Sequence, residues 1–192
     1  MIVNYLVVHL EKIKKNIMKK TILMLALFLF TFNSYSQFGV NVGFSSLKYK
    51  ISSSGFEMGT SGVSGVTLGL NYLSELSEKM KLGMNLNYSS FSSDGESQGQ
   101  VGIPVYLQYY TGDGGNGLFL KGGAAYNLIT GEVDEEMKSG SLGLVLGLGT
   151  NIGEKFVISA DYNMGISNLV KGGDIDGSLK QNIISFGVNY MF

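Results

Sequence analysis

Cysteine, arginine and tryptophan are absent from this chain of 192 residues, histidine and proline occur once each, and charged residues make up only 15%. Without cysteine there is no disulfide framework, no thiolate metal site, no cysteine nucleophile and no lipid anchor through a processed N-terminal Cys. Without arginine, and with 14 lysines against 15 acids, a basic nucleic-acid surface is excluded. The charged fraction lies well under the roughly 25% usual for soluble domains, so much of the surface is not built for water. What the chain has instead is glycine, 28 residues of it, and short apolar stripes.

The longest apolar run, Ile22 to Phe32 with Thr31 alone interrupting it, follows Lys19 and Lys20 and precedes Asn33-Ser34-Tyr35-Ser36. A positive segment, an apolar core too short to span a bilayer and small residues beyond it form an export signal, with cleavage expected after Ser36. The lysines stand far from Met1, so Met18 is taken as the true start. The domain division is therefore a leader over 1–36 and a mature domain over 37–192. The leader takes His9 and five of the lysines but only one acid, leaving nine lysines against 14 acids. Histidine triads, His-ligated zinc and imidazole acid–base chemistry are then impossible in the mature protein.

From Gln37 onward the apolar residues recur every second position, the period of a strand with two unlike faces. Phe38, Val40, Val42 and Phe44 open the series, and Ile184, Phe186, Val188, Tyr190 and Phe192 close it. Between them lie six further stripes, beginning at Val66, Met80, Val101, Leu118, Leu142 and Phe156. The pattern predicts eight strands of about ten residues.

Alternation alone leaves open which face is outside. A soluble lipocalin-like barrel turns its apolar stripe inward, and a membrane barrel turns it to lipid. Charge placement separates them. In the mature chain only Lys81, Lys121 and Asp161 fall within the predicted strands, whereas a solvated strand surface carries roughly 25 to 35% charge. The non-apolar face is mostly Gly, Ser, Asn and Thr, small enough for a narrow lumen. Ten residues tilted about 45° rise roughly 24 Å, the height of an outer-membrane apolar band. The expected fold is thus all-β: an eight-stranded antiparallel up-and-down transmembrane β-barrel preceded by a helical signal peptide.

Connections alternate accordingly. Segments 48–62, 92–98, 130–139 and 168–180 read as outer loops, and 74–79, 111–117 and 152–155 as periplasmic turns. Tyr72, Tyr109, Phe156, Tyr190 and Phe192 are placed in a periplasmic aromatic girdle, with Phe44, Tyr88 and Tyr126 in an outer one; Tyr162 falls at mid-strand, outside both.

Polar residues opposite the lipid stripe form the candidate site. Lys81, Tyr106, Lys121 and Asp161 turn inward, where eight strands leave only enough width for side chains to fill. The expectation is a lumen plugged by these groups, with Asp161 paired to Lys121 or Lys81 because a buried charge is costly alone. No cofactor is expected and no metal site is assigned. Asp174-Ile175-Asp176-Gly177 has part of a calcium-loop pattern but lacks its distal Glu. Glu132, Asp134, Glu135 and Glu136 read as a solvated acidic loop, and Gly143, Gly147, Gly149 and Gly153 as close-packed barrel interior in place of a nucleotide motif.

The hairpin Gly102-Ile103-Pro104-Val105-Tyr106-Leu107-Gln108-Tyr109-Tyr110 followed by Leu118-Phe119-Leu120-Lys121-Gly122-Gly123-Ala124-Ala125-Tyr126 resembles that of the PorT-like, or OmpX-like, outer-membrane β-barrel proteins of Bacteroidetes, with the Ile-Pro pair and the double tyrosine its most specific part. The C-terminal Tyr190-Met191-Phe192 resembles the terminal aromatic signal read by the outer-membrane assembly machinery. The resemblance implies residence in the cell outer membrane, no catalytic residue, and contact with outer-membrane lipid, lipopolysaccharide, that machinery and an envelope partner of unassigned identity. The role expected is a structural or surface-interaction barrel without enzymatic activity. The alternatives are a narrow transport or secretion-accessory barrel and a soluble periplasmic lipocalin-like binder.

Overall fold

The computed structural model describes residues 36–53, 56–93, 96–112, 117–131, 133–134, 136–171 and 177–192. Residues 1–35 of the leader, Asp113 to Asn116, Glu132, Glu135 and Asp174 to Asp176 lie outside them. Strands run β1 (Ser36–Ser53), β2 (Phe56–Gly59), β3 (Val63–Ser77), β4 (Met80–Ser93), β5 (Glu96–Tyr110), β6 (Leu118–Thr130), β7 (Gly140–Ile152), β8 (Phe156–Gly165) and β9 (Gly177–Met191). β2 folds back on β1, β1 pairs with β3, every later strand pairs with the next in the chain, and β9 pairs back onto β1 from Gly39↔Met191 to Ser53↔Gly177. The result is a closed eight-stranded antiparallel barrel in which β2 is a short flap on the outer end of β1. Closure leaves no barrel strand with an unpaired edge, which backbone at membrane depth requires.

The apolar stripe faces outward. Leu70, Leu146 and Phe186 are each about 60% exposed although they sit well inside their strands. Such side chains ring the whole wall, far beyond the few hundred Å² of apolar patch that soluble monomers present. This outward stripe is incompatible with the lipocalin-like arrangement.

Strand ends differ from the sequence reading in a systematic way. Lys48, Lys50 and Glu57 lie in the 48–62 segment that the sequence predicts as a loop, yet β1 continues through Ser53 and β2 folds back on it, with Lys50 Nζ 2.9 Å from Glu57 Oε2. β4, β5 and β9 likewise extend into segments taken as loops. Charge marks where the apolar band ends, but hydrogen-bonded pairing continues past it into water. At the other rim the expected 74–79 connection shrinks to Glu78 and Lys79, because Glu75 stays in β3 opposite Lys81. Gly153 is not interior: it makes the β7–β8 turn at φ +66°, a left-handed conformation that glycine adopts without steric cost. Tyr72, placed in the girdle, is only 8% exposed, its ring 5.1 Å from that of Phe38.

Candidate functional site: the plugged lumen and the outer cup

Inward positions of the barrel fill its lumen in tiers. Nearest the turn end, Tyr110 and Phe119 stack with ring centroids 5.3 Å apart, and Leu73, Tyr106 and Met191 form a buried apolar cluster. Lys81 is held here. Its Nζ lies 3.2 Å from Glu75 Oε1 and 5.3 Å from the centre of the Tyr110 ring, so it is engaged by Glu75 and does not meet Asp161.

Above this floor, Lys121 on β6 and Asp161 on β8 meet with Nζ to Oδ1 at 2.7 Å. The register explains how. Gly147 on β7 pairs with Lys121 on one side and with Asp161 on the other, so both lie at one level, two strands apart. A Cβ at position 147 would collide with the Asp161 carboxylate and come within 2.7 Å of Lys121 Cε. Glycine at that one place is what lets the ion pair close across the wall. Tyr106 is seated in the same manner: it pairs with Gly83 on β4 and Gly123 on β6, and its ring occupies the space a Gly83 side chain would take. Its face lies 4.8 Å from Lys121 Nζ and its hydroxyl donates to Asn85 Oδ1 at 3.0 Å. Ser159 Oγ donates to Asp161 Oδ2 at 3.3 Å.

Two hydrogen-bonded belts brace the wall where the first and last strands meet. Ser185, Ser45, Thr67 and Ser89, from β9, β1, β3 and β4, link hydroxyl to hydroxyl at 2.7 to 2.8 Å. Asn41 Nδ2 donates to Asn71 and Asn87, and Asn71 Nδ2 to Asn189, at 2.6 to 2.8 Å. Sequence reading did not find these belts; the signal was the run of small polar residues at inward positions on consecutive strands.

A chamber of about 80 Å³ lies at the level of the ion pair, with Gln100, Tyr106, Lys121, Asp161 and Asn163 in its wall. Gln100 is 2% exposed and neither of its amide atoms has a partner among the described residues. A polar chamber of this size has room for several waters. Its roof is apolar: Leu47 and Phe91 are each 1% exposed and Ile129 7%. Beyond the roof the barrel opens into a cup of about 600 Å³ at the loop end.

Ser159, a hydroxyl beside a carboxylate, faces an Asp161 already engaged by Lys121, and apolar tiers lie on both sides of the chamber. Among the described residues no three acidic side chains converge on a metal position, and the Asp174–Asp176 pattern falls outside them. At the other end of the chain, Tyr190 stacks edge-on with Phe156 at 5.3 Å and with Phe192 at 5.7 Å, while Phe192 is 72% exposed and its amide donates to Phe38 O at 2.8 Å.

The sequence model of an outer membrane protein beta-barrel domain matches residues 21–192. Among solved structures, Ail, the attachment invasion locus protein of Yersinia pestis, is similar at 15% identity and a TM-score of 0.54, covering 82% of this chain and 99% of its own. Neisserial surface protein A is similar at 16% identity and a TM-score of 0.48, covering 80% and 97%. At these identities the likeness concerns fold alone. No curated protein sequence matches the chain.

Proposed function

The chain belongs to the outer membrane protein β-barrel domain family, and on that premise we propose that it is a closed, non-enzymatic outer-membrane barrel whose working surface is its loop end. The observation that carries this reading is the plug: the Lys121–Asp161 pair, the Tyr106 ring between two glycines, and the apolar tiers beneath and above them occupy the lumen in successive layers. A structural or surface-interaction role fits a lumen spent on rigidity. A transport or secretion-accessory role needs a lumen that opens.

In this reading Lys81, Tyr106, Lys121 and Asp161 are plug residues, Tyr190 and Phe192 the signal for the assembly machinery, and 1–36 a leader cleaved near Ser36. Outer-membrane lipid and lipopolysaccharide surround the wall, and an envelope partner is met at the loops. The Ile103-Pro104 and Tyr109-Tyr110 pairs support a place beside the PorT-like barrels of Bacteroidetes. The test is electrical. Purified protein reconstituted in a planar bilayer is expected to show no steady conductance, and large stable channels would replace this reading with the transport one.

A further inference from the structure

The outer cup differs in character from everything below it. Its deep wall is apolar, with Phe91 1% and Ile129 7% exposed and Leu179 partly buried alongside them. One uncharged hydrogen-bonding pair interrupts this surface, Tyr49 with Gln98 at 3.0 to 3.1 Å. The rim is mixed: Thr60, Ser97 and Asp134 are exposed and line the opening, together with Ile51, which is 44% exposed. Among the described residues no lysine lines the cup; Lys138, beside the lining Met137, turns its Nζ to Asn168 O at 3.4 Å. Lys48, Lys50 and Lys180 are near in sequence, but strand alternation places them with the lipid stripe of β1 and β9 on the outer wall, and Lys50 is held by Glu57.

A blind cavity of this volume, apolar in depth and more polar at its mouth, matches the general form of small-molecule sites. We propose that the cup binds small amphiphiles with an apolar body and a neutral or cationic head, the body against Phe91 and Ile129 and the head at the rim beside Asp134. Among the described lining residues an anionic head finds a carboxylate and no cation, and desolvating it without a partner is costly. Because the floor is closed, the site holds its ligand and does not pass it through. The proposal rests on the closed-barrel reading and adds to it a ligand class.

The absence of tryptophan makes the test direct, since Val63→Trp places a single indole in the cup wall. The variant is reconstituted in lipid nanodiscs and titrated with 4-phenylbutylamine, 4-phenylbutan-1-ol and 4-phenylbutyrate, with empty nanodiscs as blank. These probes share one apolar body and differ in head charge. The amine and the alcohol are expected to give saturable changes in emission at concentrations about tenfold below any change with the carboxylate. Adding Ser93→Phe, whose position shares the inward face of β4 with Phe91 and would take up part of the cup, should weaken the response, while a retained heat-shift on gels shows that the barrel is folded. A flat titration with all three probes, equal midpoints for all three, or a response untouched by Ser93→Phe would overturn the proposal. The bilayer measurement runs on the same preparation: a silent bilayer with a flat titration rejects the ligand site alone, and a conducting one rejects the closed barrel.

Discussion

Asp161→Ala removes the carboxylate that neutralises Lys121 and leaves an ammonium whose side chain is only 6% exposed. Breaking a fully buried pair by deleting one partner costs roughly 3 to 5 kcal/mol. Two features of the lumen reduce that figure. Lys121 keeps the face of Tyr106 at 4.8 Å, an interaction worth about 2 kcal/mol when desolvated, and the adjoining chamber brings water to a carboxylate that is itself 25% exposed. The expected loss is therefore about 2 to 3 kcal/mol. Asp134→Ala, at the exposed rim, should stay within about 0.5 kcal/mol of wild type. The assay is urea unfolding of the barrel in lipid, followed by tyrosine emission and by the fraction that still migrates as the folded form in unboiled samples. Lys121→Met combined with Asp161→Ala should recover most of the loss, since replacing both charges leaves nothing unpaired. If Asp161→Ala and Asp134→Ala unfold at the same urea concentration, the ion pair does not hold the lumen and the argument fails.

Gly83→Ala should destabilise the barrel by roughly 1 to 3 kcal/mol, because a methyl there displaces the Tyr106 ring; Tyr106→Leu in the same background should restore part of the loss, as seen by the same urea titration. Deleting Phe192 should lower the amount of assembled protein in the outer membrane more than deleting residues 132–136, measured by the heat-shifted fraction, and equal levels would refute an assembly role for the terminal aromatic. N-terminal analysis of protein purified from membranes should begin at Gln37, and a mature chain still carrying Leu25 would refute the leader.

The barrel was legible in the sequence because its two faces differ at every second residue. Stripes such as Leu142, Leu144, Leu146 and Leu148 against Gly143, Gly147 and Gly149 carry both the strand and its inside–outside sense, and all four leucines face out in the structure. The strand ends were not legible, since charge had to serve as the loop marker. Lys48 and Lys50 show why that marker fails: above the lipid band an outward lysine is as acceptable in a strand as in a loop. The choice between Lys81 and Lys121 as partner of Asp161 needed register. Lys81 sits one turn from Glu75, a neighbour that a longer assumed connection had removed from the strands. The glycines beside Tyr106 and Asp161 were visible as composition but not as sockets, because a socket is defined by what lies across from it.

The seam between β1 and β9 brings the two ends of the barrel together at one rim, with the Phe192 amide on Phe38 O at 2.8 Å. Nothing in the wall therefore depends on where the polypeptide starts. A short linker from Phe192 to Gln37, with new ends cut at Glu78 and Lys79, would give a circular permutant with the same pairs, sockets and belts, its termini still on the turn side. Such a chain would carry Phe192 in an interior position. It would thus separate two properties that the natural order fuses in one residue: closing the cylinder and presenting a free aromatic end.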